Sequence, residues 1–231
     1  MALREYKMFR DRVSVFEDRR DAGRLLGEML AKYRDADALV LALPSGGVPV
    51  GVEVAKALNA ALDLLIVRKI QIPGNPEAGF GAISPDGTPI INENFLAMLS
   101  LSKKAVEVQV NKAMESVKQR NALFRKNRPY TSFKGKTIII VDDGLASGYT
   151  MLAAIRFVKR DKPQKVIVAV PTSSARAIDF ILTEVDELFC ANIRTSFSFA
   201  VANAYRNWYD LTDEDVIREY MQCHSGDDAQ W

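Results

Sequence analysis

The chain holds a single histidine, His224, and only two cysteines, Cys190 and Cys223. His224 sits in a polar stretch near the C-terminus, so histidine-base chemistry and histidine metal sites are not expected. The cysteines are too far apart for a metal-ligand spacing, and so few thiols fit a reduced, cytoplasmic protein better than a disulfide scaffold. Charge of one sign is lacking as well. The 31 basic and 29 acidic residues leave a formal net charge of +2, which gives no electrostatic footprint for nucleic acid or a membrane surface. No apolar run approaches the length of a membrane span. Residues Met1 to Asp21 are rich in charge and contain no apolar leader segment, so no secretory signal is expected. Internal repeats and low-complexity segments are absent too.

What is present suits a globular domain. Of the 231 residues, 48% are hydrophobic, enough for a sizeable core at this length. Asp18 to Tyr33 places Leu25, Leu26, Met29 and Leu30 at helical spacing. Ala38 to Leu43 is a short apolar strand that breaks at Pro44-Ser45-Gly46-Gly47, and Val48 to Asn59 then reads as a helix. Leu62 to Val67 is a second strand ending at Arg68-Lys69, which completes a βαβ unit. Gln71 to Pro89 is crowded with glycine and proline and reads as a long functional loop or lid. Its second half, Gly81 to Asn92, is compatible with a hairpin turning at Pro85-Asp86-Gly87. Ser102 to Lys126 is a long helix with Ser102 as N-cap. Further strands are expected at Ile138 to Val141, Lys165 to Val170 and Glu187 to Ala191. Helices are expected from about Gly148 to Arg160, over Ser173 to Thr183 and over Asp213 to Met221. The order predicts an α/β fold, a doubly wound, mostly parallel sheet with helices on both faces.

One segment stands out. Ile138 to Val141 ends abruptly in Asp142 and Asp143, and Gly144-Leu145-Ala146-Ser147-Gly148-Tyr149-Thr150 follows before the next helix. Ligands in open α/β sheets bind at the carboxyl ends of strands. Small residues allow close backbone approach. Successive amides ahead of a helix N-terminus form an anion nest, to which Ser147 and Thr150 add hydroxyls. Neither a P-loop nor a dinucleotide fingerprint is present here. Two acids beside a phosphate cradle repel a bare phosphate. They fit a ligand that carries sugar hydroxyls one sugar-length away, such as a ribose 5-phosphate.

The stretch Asp142 to Thr150 resembles the signature of the type I phosphoribosyltransferases along its full length. The resemblance covers roughly residues 38–191. It implies a single domain over 1–231 whose N- and C-terminal segments form a hood or packing layer. It further implies that Asp142 and Asp143 bind the ribose hydroxyls of phosphoribosyl pyrophosphate, and that Ala146, Ser147, Gly148, Tyr149 and Thr150 bind its 5-phosphate. Ser45, Gly46 and Gly47 match the pyrophosphate loop in position, joined by Arg68. Lys69 and Glu77 are candidate catalytic residues beside the acid pair, Glu77 as a proton-transfer carboxylate in the lid. Phe80, Trp208 and Tyr209 are candidate base-stacking aromatics.

The implied activity is Mg²⁺-dependent transfer of the phosphoribosyl group to a nitrogenous base, purine or pyrimidine, with release of pyrophosphate. That chemistry belongs to nucleotide salvage. Mg²⁺ is expected to be held mainly by the substrate, with no direct side-chain ligand assigned. In 6-oxopurine enzymes of this family an acid occupies the position of Ala146, so hypoxanthine and guanine are disfavoured as acceptors. The partners implied are small molecules, with neither nucleic acid nor membrane, and a homodimer is admitted. A non-catalytic phosphoribosyl pyrophosphate sensor on the same fold is the alternative.

Overall fold

In a computed structural model of the chain the described residues are 1–223, without the side chains of Pro76 and Glu77; His224 lies outside them. The elements run in chain order β1 (Ala2–Glu5), α1 (Arg19–Met29), β2 (Ala38–Ala42), α2 (Gly47–Leu58), β3 (Ala61–Leu64), β4 (Arg68–Ile72), β5 (Asn75–Ile83) and β6 (Pro89–Ile91). They continue with α3 (Glu93–Met98), α4 (Lys103–Arg125), β7 (Thr137–Val141), α5 (Tyr149–Lys159), β8 (Lys165–Ser174), α6 (Ala175–Leu182), β9 (Glu187–Arg194) and α7 (Asp213–Gln222).

Six strands form one sheet in the order β1-β9-β8-β7-β2-β3, and every neighbouring pair is parallel. β-Branched residues dominate because the strands are covered on both faces, where their stiff side chains pack well. Alternation then assigns the faces. Val40, Ala42, Ile139, Val141, Ile167 and Ala169 join one core with α1, α2 and α7. Leu39, Leu41, Ile138, Ile140, Val166 and Val168 join a second core with α5 and α6. The expected doubly wound, parallel α/β architecture is what the chain adopts.

The strand order locates the crevice. From β2 the chain steps to β3 on one side, and from β7 it steps through β8 and β9 on the other. The direction therefore reverses between β2 and β7, and their following loops part there. That is the topological switch point where open α/β sheets bind ligands.

The helix starts are chemically explicit. The Asp18 carboxylate accepts from the Asp21 amide at the head of α1, and the Ser102 hydroxyl accepts from the Ala105 amide at the head of α4. Both satisfy a backbone donor that has no partner within the helix. α1 packs directly on α2, and a methyl at Gly27 would lie 2.5 Å from the Ala57 Cβ.

Four parts differ from the sequence-based expectation. Gln71 to Pro89 is no irregular loop: β4, β5 and β6 form a three-stranded antiparallel sheet, with the anticipated turn closed by the Gly87 amide donating to the Ser84 carbonyl. Ile70, Phe80 and Ile83 of this sheet are fully buried, and glycines at 79 and 81 interrupt the apolar run that would mark a strand. β1 and α3 are additional elements, too short to show periodicity. β8 runs on to Ser174, and β9 to Arg194. Phe80 stands in the core and is not available as a stacking platform.

Candidate active site

Val141 is the last residue of β7, and its direction delivers Asp142 and Asp143 to the switch point. The loop behind them is tied down by the extension of β8. The Leu145 amide donates to the Thr172 carbonyl, and the Ser174 amide donates back to the Leu145 carbonyl. The Ser174 hydroxyl donates to the Ala146 carbonyl at 3.0 Å. Leu145 is buried, which anchors the loop, while Ala146 and Ser147 remain exposed at its tip.

A cleft of about 480 Å³ opens there. Asp142, Asp143, the whole run Ala146 to Thr150, and Lys69 line it together. Gly79 and Gly81 of β5, Phe95 of α3 and Val201 supply further wall. The structure thus gathers residues more than seventy positions apart in sequence around the two acids. Glu77 belongs to β5, but its side chain is not among those described.

Gly46 and Gly47 lie against the acids from the other side of the switch point, while Ser45, Gly46, Gly47 and Arg68 are not among the residues that line the cleft. A methyl on Gly46 would fall 1.8 Å from Asp143 Oδ2, and one on Gly47 would fall 2.9 Å from the Asp142 Cα. The Asp143 carboxylate therefore occupies the space a side chain at 46 would need. Arg120 of α4 donates to the Ser45 hydroxyl at 3.1 Å and pairs with Asp213. Burial, then the nearby Arg120 charge, lowers the Arg68 pKa.

The acids are electrostatically unequal. Burial, reinforced by the charge on Asp143, pushes the Asp142 carboxyl well above the usual carboxylate range. Burial also raises Asp143, but the Arg19 guanidinium opposes that rise. Arg19 Nε donates to Asp143 Oδ2 at 2.9 Å. The Asp143 amide donates to Asp142 Oδ1 at 2.8 Å, and the Tyr205 hydroxyl donates to the Asp143 carbonyl at 2.6 Å.

Arg19, Arg120, Tyr205 and Val201 are the residues that sequence reasoning missed. Arg19 stands in the run Asp18-Arg19-Arg20-Asp21, which looks like the solvated start of a helix. Arg120 lies in the last two turns of α4, in the polar run Lys118-Gln119-Arg120-Asn121. Trp208 and Tyr209, candidates for base stacking in the sequence, pack around Arg19: the guanidinium lies 3.9 Å from the Trp208 ring centroid and 5.8 Å from that of Tyr209.

Fold and site define a class: a doubly wound α/β domain of the type I phosphoribosyltransferase kind, with its cleft at the switch point. Comparison with known proteins is specific. The phosphoribosyl transferase domain profile matches residues 16–205. Two proteins from two strains of Mycobacterium tuberculosis, whose names assign them to the phosphoribosyl transferases, are each 36% identical over 212 residues. That match takes in 92% of this chain and 48% of theirs, so the chain spans about half the length of these curated relatives. A solved structure from Thermus thermophilus is similar at 35% identity and a TM-score of 0.72, covering 90% of this chain and 98% of that one. The chain belongs to the phosphoribosyltransferase family. Among the described residues no helix is long and apolar enough to cross a membrane.

Proposed function

We propose that the protein transfers the 5-phosphoribosyl group of phosphoribosyl pyrophosphate to a nitrogenous base. The observation that carries this reading is the meeting, in one cleft, of the acid pair with the Ala146 to Thr150 loop, backed by the Ser45 to Gly47 loop. The amides and hydroxyls of the first loop, with the N-terminus of α5, suit a phosphate monoester. Asp142 and Asp143 suit the two ribose hydroxyls as acceptors. Ser45 to Gly47, with Arg68 and Arg120, suit the pyrophosphate.

In the reaction the bond from C1 to the pyrophosphate oxygen breaks, and a base nitrogen supplies the electron pair that forms the new bond to C1. The loops hold both anionic ends so that C1 is presented to the acceptor. The β4–β6 sheet, contributing Lys69, Gly79 and Gly81, covers one side of the cleft and limits water. Phe95 and Val201 give an apolar wall on which a flat ring can lie. Glu77 is the proposed proton-transfer group, Lys69 a proposed partner of the leaving group.

The side-chain donors that Asp142, Asp143, Ser147 and Thr150 bring to the cleft are oxygen atoms, which suit a hard cation such as Mg²⁺. Among the described residues no three carboxylate, cysteine or histidine side chains form a metal cluster, so substrate oxygens would hold the ion. Mg²⁺ would neutralise charge on the departing pyrophosphate. Ala146 in place of an acid disfavours 6-oxopurines as acceptors.

The test is isothermal calorimetry with phosphoribosyl pyrophosphate and Mg²⁺, followed by incorporation of radiolabelled adenine, guanine, hypoxanthine, xanthine, uracil and orotate. Wild type should bind the donor and convert one base. Replacing both Asp142 and Asp143 with Asn should reduce binding and turnover sharply; a double variant with wild-type affinity refutes the assignment. Donor binding with no product from any base would favour a sensor.

A further inference from the structure

Arg19 is buried beside the acid pair and bonded to Asp143. Its side chain is only 7% exposed and that of Asp143 14%, so the ion pair between them is largely withdrawn from water. Nε is taken by Asp143 Oδ2 at 2.9 Å, and Nη1 by the Tyr209 carbonyl at 2.8 Å. The guanidinium plane lies against Trp208, with Tyr205 and Tyr209 at 5.9 and 5.8 Å. A fork that donates on one edge while stacking on its face is a role for arginine rather than lysine. The helix carrying Arg19 and the segment carrying the three aromatics lie at opposite ends of the chain. The Phe16 amide to Ala204 carbonyl bond and the Asn207 amide to Glu17 carbonyl bond lace them together just ahead of Arg19.

The direction of Asp143 follows from this. Its carboxylate is drawn toward α1 and into the space left by the missing side chain of Gly46. The charged or titratable groups facing it are Asp142, Arg19 and the Tyr205 hydroxyl. Without Arg19, two adjacent carboxylates would face a ligand that is itself a polyanion. With it, the charge of Asp143 is offset by a buried partner and its carboxylate is tied at Oδ2.

We infer that Arg19 is a positioning residue of the donor site: held in the Tyr205–Trp208–Tyr209 aromatic cage, it fixes Asp143 against Gly46 and offsets its charge, so that a phosphorylated, polyanionic sugar can approach the acid pair. This rests on the reading of the cleft as a phosphoribosyl pyrophosphate site. Arg19 acts through Asp143 and does not itself touch the ligand.

A double-mutant cycle tests it, with phosphoribosyl pyrophosphate and Mg²⁺ as the calorimetric probe and thermal unfolding as the fold control. Arg19→Met should weaken donor affinity by about tenfold or more, as expected for removing one partner of a buried charge pair. Asp143→Asn should also weaken it. The double variant should be no weaker than Asp143→Asn alone, because Arg19 then has nothing left to position. Additive losses would mean that Arg19 serves the fold generally, and would overturn the inference. Should Arg19→Met not fold, Trp208→Leu, at a half-exposed position, removes the stacking platform and leaves both charges. It should raise the dissociation constant, and unchanged affinity in that variant overturns the inference equally. A wild type that binds no phosphoribosyl pyrophosphate sinks the function and this inference together, whereas a binding wild type with an additive cycle sinks only this one.

Discussion

Gly46 is where a single atom decides the arrangement of the site. Because a Cβ there would coincide with the Asp143 carboxylate, Gly46→Ala must push Asp143 away from both the loop and Arg19. Its backbone is in the right-handed helical region, at φ −61° and ψ −33°, so the obstacle is contact and not conformation. The expected outcome is a folded protein destabilised by about 1–3 kcal/mol, as for other over-packed positions, with donor affinity well below wild type. Urea unfolding and calorimetry on the same sample check the two parts. A fully stable variant with unaltered affinity would show that Asp143 need not lie against the loop. From sequence, Ser45-Gly46-Gly47 signalled only small residues after a strand; what the missing side chain makes room for required the neighbour from β7.

α1 and α2 show the same physics between elements. Gly27 permits close helix approach, since its added Cβ would meet that of Ala57 at 2.5 Å. Gly27→Leu should separate the helices and lower stability by about 1–3 kcal/mol, read as a lower urea midpoint. Because α1 carries Arg19, donor affinity should fall in the same variant. The long helices, and the strands around the acid pair, were legible because their patterns are long or uniformly apolar. The β4–β6 sheet was not. Proline and glycine there signal punctuation, yet tertiary burial of Ile70, Phe80 and Ile83 makes strands of the segment. The extensions of β8 and β9 were hidden for a related reason: Thr172 to Ser174 are polar, and they pair because Leu145 and β9 lie alongside.

The whole molecule carries an acid-sensitive tie at the end of the sheet opposite the cleft. Glu187 accepts from Lys32 Nζ at 2.5 Å, from the Tyr33 hydroxyl at 2.6 Å and from Lys165 Nζ at 3.3 Å. Burial alone would raise this carboxyl, but the three hydrogen bonds outweigh it and bring the value from 4.5 down to about 2. A depressed folded-state value means stabilisation that is complete above the unfolded value and lost as pH falls through the folded one. Wild type should therefore lose stability between pH 4.5 and about 2. Glu187→Gln should be less stable near neutrality and lose less across that window. Urea midpoints at about pH 6 and about pH 3 check this, and an equal loss in both proteins would remove Glu187 as a cause.

The sequence by itself determined the parallel α/β architecture and the position of the acid pair and its phosphate-type loop. Those features are local: apolar runs select buried strands, and Asp142 to Thr150 is contiguous in the chain. Only the tertiary structure decided that Arg19 secures Asp143, that Arg120 reaches Ser45, and that Trp208 and Tyr209 surround an arginine. These contacts join residues 75 to 190 positions apart. A charged side chain in a polar run gives no local sign of burial, because its withdrawal from water is compensated only by partners that folding brings to it.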